Sequence, residues 1–228
     1  MVIAMTNTLA APQVAATLDR MFAAAAQDDN ASALLPGGAY AAASALDKAD
    51  AAQDVYMPIS PEAGRLLYAL VRASRPETVV EFGTSFGIST IHLAAAVTDN
   101  GTGRVVTTEL STAKVKAARS NLEQAGVDAV VTVLAGDALE TLAEVPGPIG
   151  LVLLDGWKDL CLPVLRLLEP RLAPGALVAG DDSSFPSMAG YLDYVRDPAH
   201  GYVSVAFPVE DGMEISCWTG SPAAAARS

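Results

Sequence analysis

Strand-like and helix-like stretches alternate through the middle of this chain, and that alternation limits its fold more than any other feature. Short runs of β-branched and aliphatic residues lie at 78–82, 104–108, 129–134, 150–154 and 176–180. Apolar residues recur at helical spacing over 87–97, 111–125, 138–144, 159–172 and 186–196. Such regular alternation predicts a parallel sheet covered by helices on both faces. The end breaks the pattern: Tyr202–Phe207 and Met213–Trp218 flank a turn containing Asp211-Gly212 and read as a hairpin.

Ahead of the alternation the chain is rich in alanine. Val14, Leu18, Met21 and Phe22 fall on one helical stripe, Pro36-Gly37-Gly38 breaks the chain, and 39–53 suits a second helix. These helices read as a packing extension, a cap over a site, or a surface for a second subunit. Ser60-Pro61-Glu62 starts a further helix, with a capping hydroxyl, proline at the first helical position and an acid. Ala63, Leu66, Leu67 and Leu70 continue it. We divide the chain into an N-terminal helical extension (1–56), one large domain (57–220) and a tail (221–228).

Charge and composition remove several function classes. The formal net charge of −12 argues against nucleic-acid backbones and anionic membranes as main partners. No uninterrupted apolar run of membrane-spanning length occurs, and no basic residue precedes the weak apolar stretch at the N-terminus, so neither a transmembrane helix nor a secretory signal is expected. Cys161 and Cys217 are the only cysteines, read as reduced thiols of a cytoplasmic protein. With only His92 and His200 beside them, a zinc site of the His/Cys type lacks ligands.

The first βα junction, Val79 to Thr90, carries the clearest chemistry. Gly83 allows a hard turn at the strand end, and Gly87 allows close approach to a ligand before the helix opens its free N–H groups. Ligands of doubly wound sheets bind beyond the C-terminal strand ends. This chain places acids there repeatedly: Glu109 after the second strand, Asp137 after the third, Asp155 after the fourth, Asp181 and Asp182 after the fifth. Each alone reads equally well as a cap or turn residue. Glu109 suits ribose hydroxyls. Asp155, Asp181 and Asp182, on strands expected to be neighbours, would repel unless a cation sits among them, and hard oxygens suit Mg²⁺, Ca²⁺ or Mn²⁺. Lys158, three residues past Asp155, reads on its own as a solvated surface lysine, but its place beside Trp157 and Asp155 lets its amine reach the same point.

In order and spacing these motifs resemble the class I S-adenosylmethionine-dependent O-methyltransferases, above all the metal-dependent branch with catechol and caffeoyl-coenzyme A O-methyltransferases. The resemblance runs from about Met57 to Trp218. It covers Met57-Pro58-Ile59-Ser60-Pro61-Glu62, the glycine loop from Val80-Glu81-Phe82-Gly83 to Gly87-Ile88-Ser89, Asp155-Gly156-Trp157-Lys158, Asp181-Asp182 and Asp211-Gly212. It implies an α/β, Rossmann-like doubly wound sheet of seven strands, mostly parallel with a reversed C-terminal strand, plus N-terminal helices. It implies S-adenosylmethionine as methyl donor, held by Met57, Glu81, Gly83, Ser85, Gly87, Ser89, Glu109, Asp137, Ala138, Asp155 and Trp157. It further implies a divalent cation, Mg²⁺ first, on Asp155, Asp181 and Asp182, with Lys158 as the proton acceptor. The acceptor would be a small catechol-like or phenolic hydroxyl, and the assembly a homodimer. The family commonly has Asp-Asn where this chain has Asp181-Asp182, so a metal-independent methyltransferase is a second expectation.

Three readings of other kinds compete. Gly83-Thr84-Ser85-Phe86-Gly87 matches G-x-S-x-G, and a later Asp and His200 complete the order of an α/β-hydrolase triad. Residues 1–77 supply no earlier strand and no oxyanion loop for it. A nicotinamide dehydrogenase would want G-x-G-x-x-G. A non-catalytic cofactor-binding module would leave Lys158 and the aspartates without roles. His92 reads as a packed residue rather than a catalyst.

Overall fold

Continuous aliphatic runs must be buried on both faces of a sheet, and in the computed structural model the central strands are. Every residue of β1 (Thr78–Phe82) is buried, and β4 (Ile149–Leu154) is nearly so. The structure describes residues 7–28 and 43–220. The break expected at Pro36-Gly37-Gly38 and the tail at 221–228 lie outside the described residues. The other strands are β2 (Arg104–Glu109), β3 (Val131–Ala135), β5 (Leu172–Asp181), β6 (Tyr202–Phe207) and β7 (Met213–Trp218). They form one seven-stranded sheet in the order β3-β2-β1-β4-β5-β7-β6. β1 to β5 pair in parallel, and β7 runs antiparallel to both β5 and β6. This is the Rossmann-like, doubly wound arrangement with a reversed last strand. The chain order reverses between β1 and β4, which opens a crevice at their C-terminal ends.

The described α-helices are α1 (Pro12–Ala25), α2 (Ala45–Ala51), α3 (Pro61–Ser74), α4 (Ile88–Asn100), α5 (Thr112–Ala125), α6 (Ala138–Thr141), α7 (Cys161–Leu168) and α8 (Ala189–Arg196). α1, α3, α4 and α5 cover one face through Val14, Met21, Leu67, Ile91, Leu93 and Leu122. α6, α7 and α8 cover the other through Ala138, Val164, Leu165 and Tyr191. Ser60 caps α3, its hydroxyl accepting from the Ala63 N–H at 3.1 Å. Gly126 ends α5 with φ 69°. No helix among the described residues is long and apolar enough to cross a membrane. Cys161 and Cys217 are both free.

Several boundaries differ from expectation, among them the start of β5 at Leu172 rather than at 176, the end of α6 at Thr141 rather than at 144 and the start of α8 at Ala189 rather than at 186. A helix over 159–172 was expected, but α7 stops at Leu168 and a 3-10 turn covers Glu169–Arg171. Pro170 has no N–H with which to continue an α-helix, and Leu172 already pairs with Ile149 as the start of β5. β3 begins at Val131 rather than at 129, because Asp128–Val130 forms a 3-10 turn.

α3 crosses α4 at Gly64. A Cβ there would lie 2.5 Å from His92 Nε2 and 2.6 Å from Cε1. His92 is buried as expected, and its Nδ1 is fixed 2.9 Å from the Ile88 carbonyl. Gly64→Ala should therefore cost about 1–3 kcal/mol by overpacking, measured by urea unfolding. Unchanged stability would mean that the two helices separate freely.

Candidate active site

The cavity beyond the strand ends measures about 710 Å³ and is lined from four directions. The β1–α4 corner contributes Gly83, Ser85 and Ser89; the ends of β2 and β3 contribute Glu109, Asp137 and Ala138. The ends of β4 and β5 contribute Asp155, Trp157, Lys158, Asp181 and Asp182. α2 and the segment after it, through Lys48 and Met57, close the remaining side. The volume suits a nucleoside-sized ligand together with a small second molecule.

The glycine corner is shaped by contact. Gly83 has φ 100°, and a Cβ on it would lie 2.7 Å from the Asp155 carbonyl oxygen on the neighbouring strand. Gly87 opens α4 with φ 95° and no side-chain cap. Between them Ser85 takes φ 47°. The Glu109 carboxylate braces this corner, accepting the Ser85 N–H on Oε2 and the Ser111 N–H on Oε1, both at 2.8 Å. Asp137 caps α6 through the Leu139 N–H at 2.7 Å, as one reading of it expected, and also lines the cavity.

Among the cavity residues expected from sequence, Glu81 and Gly87 do not line it. Glu81 is fully buried beneath, with Oε2 accepting from Thr90 Oγ1 at 2.5 Å and Oε1 without a partner among the described residues. Burial pushes its pKa up to about 7, against the pull of the Ser89, Thr107 and Thr90 hydroxyls; Asp155 adds a smaller push upward. Below an unfolded value of 4.5 this group leaves stability intact. Between there and about 7 the folded state holds a proton the unfolded chain has released, so stability falls as pH rises through that window. Glu81→Gln removes the titration. From pH 4.5 to 7.5 the unmodified protein should lose about 3 kcal/mol relative to the variant, followed by urea unfolding at each pH. Parallel pH profiles would contradict this.

At the far end, Asp155, Asp181 and Asp182 offer carboxylate oxygens within 4.8 Å of one another. Parallel pairing of β4 with β5 causes this, since Leu154 faces Gly180, so that Asp155, just past β4, lies beside Asp181, the last residue of β5, and Asp182 leaves the strand next to them. Asp182 does so with φ 56°. Burial pushes both Asp155 and Asp181 up, and repulsion among the three acids adds to it. Lys158 Nζ bonds Asp155 Oδ1 at 3.0 Å and Asp182 Oδ2 at 2.9 Å. Burial pulls the Lys158 pKa down, but Asp155, Asp182 and Asp181 together push it above the ordinary lysine range. The donor set is all hard oxygen and fits Mg²⁺ or a similar dication.

The serine–histidine pairing of the hydrolase reading does not form. His200 Nδ1 lies 2.9 Å from the Tyr194 carbonyl and its ring stacks on Tyr194 at 3.9 Å, outside the cavity. The Ser85 hydroxyl instead accepts from Lys114 Nζ at 3.3 Å. Lining residues that the sequence did not single out include Lys48, Lys114, Phe185 and Glu210. Glu210 Oε2 accepts the Ser60 N–H at 2.6 Å, tying the hairpin turn to the start of α3. Its position beside Asp211-Gly212 was the available signal.

A methyltransferase-domain family matches residues 80–183. The chain is 40% identical over 149 residues to a catechol O-methyltransferase of Mycobacterium tuberculosis (strain ATCC 25618 / H37Rv), covering 65% of this chain and 67% of that protein. It is 30% identical over 178 residues to catechol O-methyltransferase B of Danio rerio, covering 72% and 66%. The chain thus spans about two thirds of the length of these curated relatives. Among solved structures, cofactor-bound Rv0187 from MTB superposes with TM-score 0.67 at 28% identity, over 78% of this chain and 90% of that one. The O-methyltransferase TomG of Streptomyces achromogenes, involved in tomaymycin synthesis and solved with SAM, gives 0.63 at 26% identity, over 86% and 96%.

Proposed function

The chain belongs to the class I S-adenosylmethionine-dependent O-methyltransferases, in the branch of the catechol and caffeoyl-coenzyme A enzymes, and on that premise we propose that it methylates a hydroxyl of a small catechol-like or phenolic acceptor with help from a divalent cation. The observation that carries this reading is the convergence of Asp155, Asp181, Asp182 and Lys158 in the cavity that also holds the glycine corner. S-adenosylmethionine would supply a methyl group on a sulfonium, open to displacement by an oxygen. Met57, Gly83, Ser85 and Ser89 surround the place for its amino-acid end, with Glu109 for the ribose. Asp137, Ala138 and Trp157 border the place for the adenine. Glu81 and Gly87 would act from beneath, by holding strand and helix in register.

Asp155, Asp181 and Asp182 would hold the cation. A hard dication there would lower the pKa of a bound hydroxyl and loosen the carboxylates' hold on Lys158. Lys158 would orient the acceptor hydroxyl and take its proton. The walls would hold donor and acceptor together, and positioning of this kind supplies much of the rate.

One observation favours a metal-independent version: the Lys158 ammonium already pairs with two of the three carboxylates. An assay of methyl transfer from S-adenosylmethionine to a panel of catechols and phenols, in Mg²⁺ and in chelator, separates the two. Loss of transfer on chelation supports the cation, and equal rates select the metal-independent reaction. No transfer to any member of the panel would overturn the acceptor class.

A further inference from the structure

Lys114 has no place in the chemistry above, yet it is only 3% exposed and lines the cavity. It sits at the start of α5, three residues after the capping Ser111. Among the described residues, no carboxylate lies within ion-pair distance of its Nζ; Glu109, Asp28 and Asp54 act on it only through space. A buried ammonium without a direct ion pair is costly. What it does touch is the tip of the glycine corner. Nζ is 3.3 Å from Ser85 Oγ and 5.3 Å from the centroid of the Phe86 ring. Phe86 in turn stacks on Tyr56 at 4.1 Å and 15°, and the Tyr56 N–H donates to Asp28 Oδ2 at 2.7 Å.

Ser85 is strained. Its φ of 47° lies in the left-handed region that a serine adopts at a cost. Two contacts hold it there: its N–H on Glu109 Oε2 and its hydroxyl on Lys114. We propose that Lys114 is a positioning residue for the methyl-donor corner, holding Ser85 in its left-handed conformation and Phe86 against Tyr56, so that the Ser85 N–H stays on the Glu109 carboxylate. The inference rests on the donor site proposed above. Through Phe86 and Tyr56 the same lysine links that corner to the segment running from α2 to α3.

Calorimetric titration of the full chain with S-adenosylhomocysteine tests it. Lys114→Met keeps the aliphatic stem and removes the charge; it should raise the dissociation constant about 10-fold, the scale of one hydrogen bond to a charged group. Glycine takes φ 47° without strain. In the Ser85→Gly background the same Lys114→Met change should therefore cost less than about 3-fold. A lysine that only stabilises α5 would cost the same in both backgrounds, and that result overturns the proposal. Lys114→Arg keeps the charge, and weakening equal to that of Lys114→Met also overturns it, which covers the case where Lys114→Met does not fold. If the unmodified protein binds the ligand and Lys114→Met binds it as tightly, the positioning role alone fails. If the unmodified protein binds none, the donor site fails and the inference with it.

Discussion

Lys158→Met is expected to lower kcat by about 10²–10⁴, the range for loss of a positioned acid–base group, while the affinity for S-adenosylmethionine changes little. The side chain reaches into the cavity from the turn after β4 and is bonded at 3.0 and 2.9 Å to Asp155 and Asp182. It is therefore held at one place rather than sampling solvent. Its pKa is pushed above the ordinary range by those acids, so in the unloaded site it is an ammonium. In the proposed mechanism it would become a proton acceptor when positive charge enters the acidic cluster. Single-turnover kinetics with saturating donor read the chemical step directly. Retained kcat would show that proton transfer does not pass through Lys158.

The second large effect concerns the cluster itself. Asp181 is 6% exposed at the end of β5, and its carboxylate lies within 4.8 Å of the other two acids. Asp181→Ala should weaken Mn²⁺ binding by about 100-fold or more, since loss of even an outer-shell partner costs 10–100-fold. Electron paramagnetic resonance of free Mn²⁺ follows this without any acceptor. The change removes a carboxyl that is itself costly to bury, so the variant should fold. Equal Mn²⁺ affinity in the two proteins would remove Asp181 from the ligand set.

The acids at the strand ends were legible because the rule that places ligands there needs only strand boundaries, and β1, β2, β4 and β5 have clear aliphatic runs. That Asp155, Asp181 and Asp182 come together followed from expecting β4 beside β5, which the pairing bears out. Lys114 was not legible. A lysine in a helix reads as solvated, whereas here its amine meets Ser85 and Phe86, which lie on another segment. His200 shows why chain order alone carries little. Chain order Ser, Asp, His suited a triad, but residue 200 leads into β6 at the sheet edge, away from the corner at β1. The overrun of α7 was avoidable, because Pro170 stood in the sequence as a helix stop.

The most direct test of the central claim is calorimetric titration of the purified chain with S-adenosylmethionine, in Mg²⁺ and again in chelator. It needs no knowledge of the acceptor. The arrangement of the glycine corner, Glu109 and Asp137 predicts saturable binding of one donor per chain in Mg²⁺. Absence of binding in both buffers would contradict the methyltransferase account.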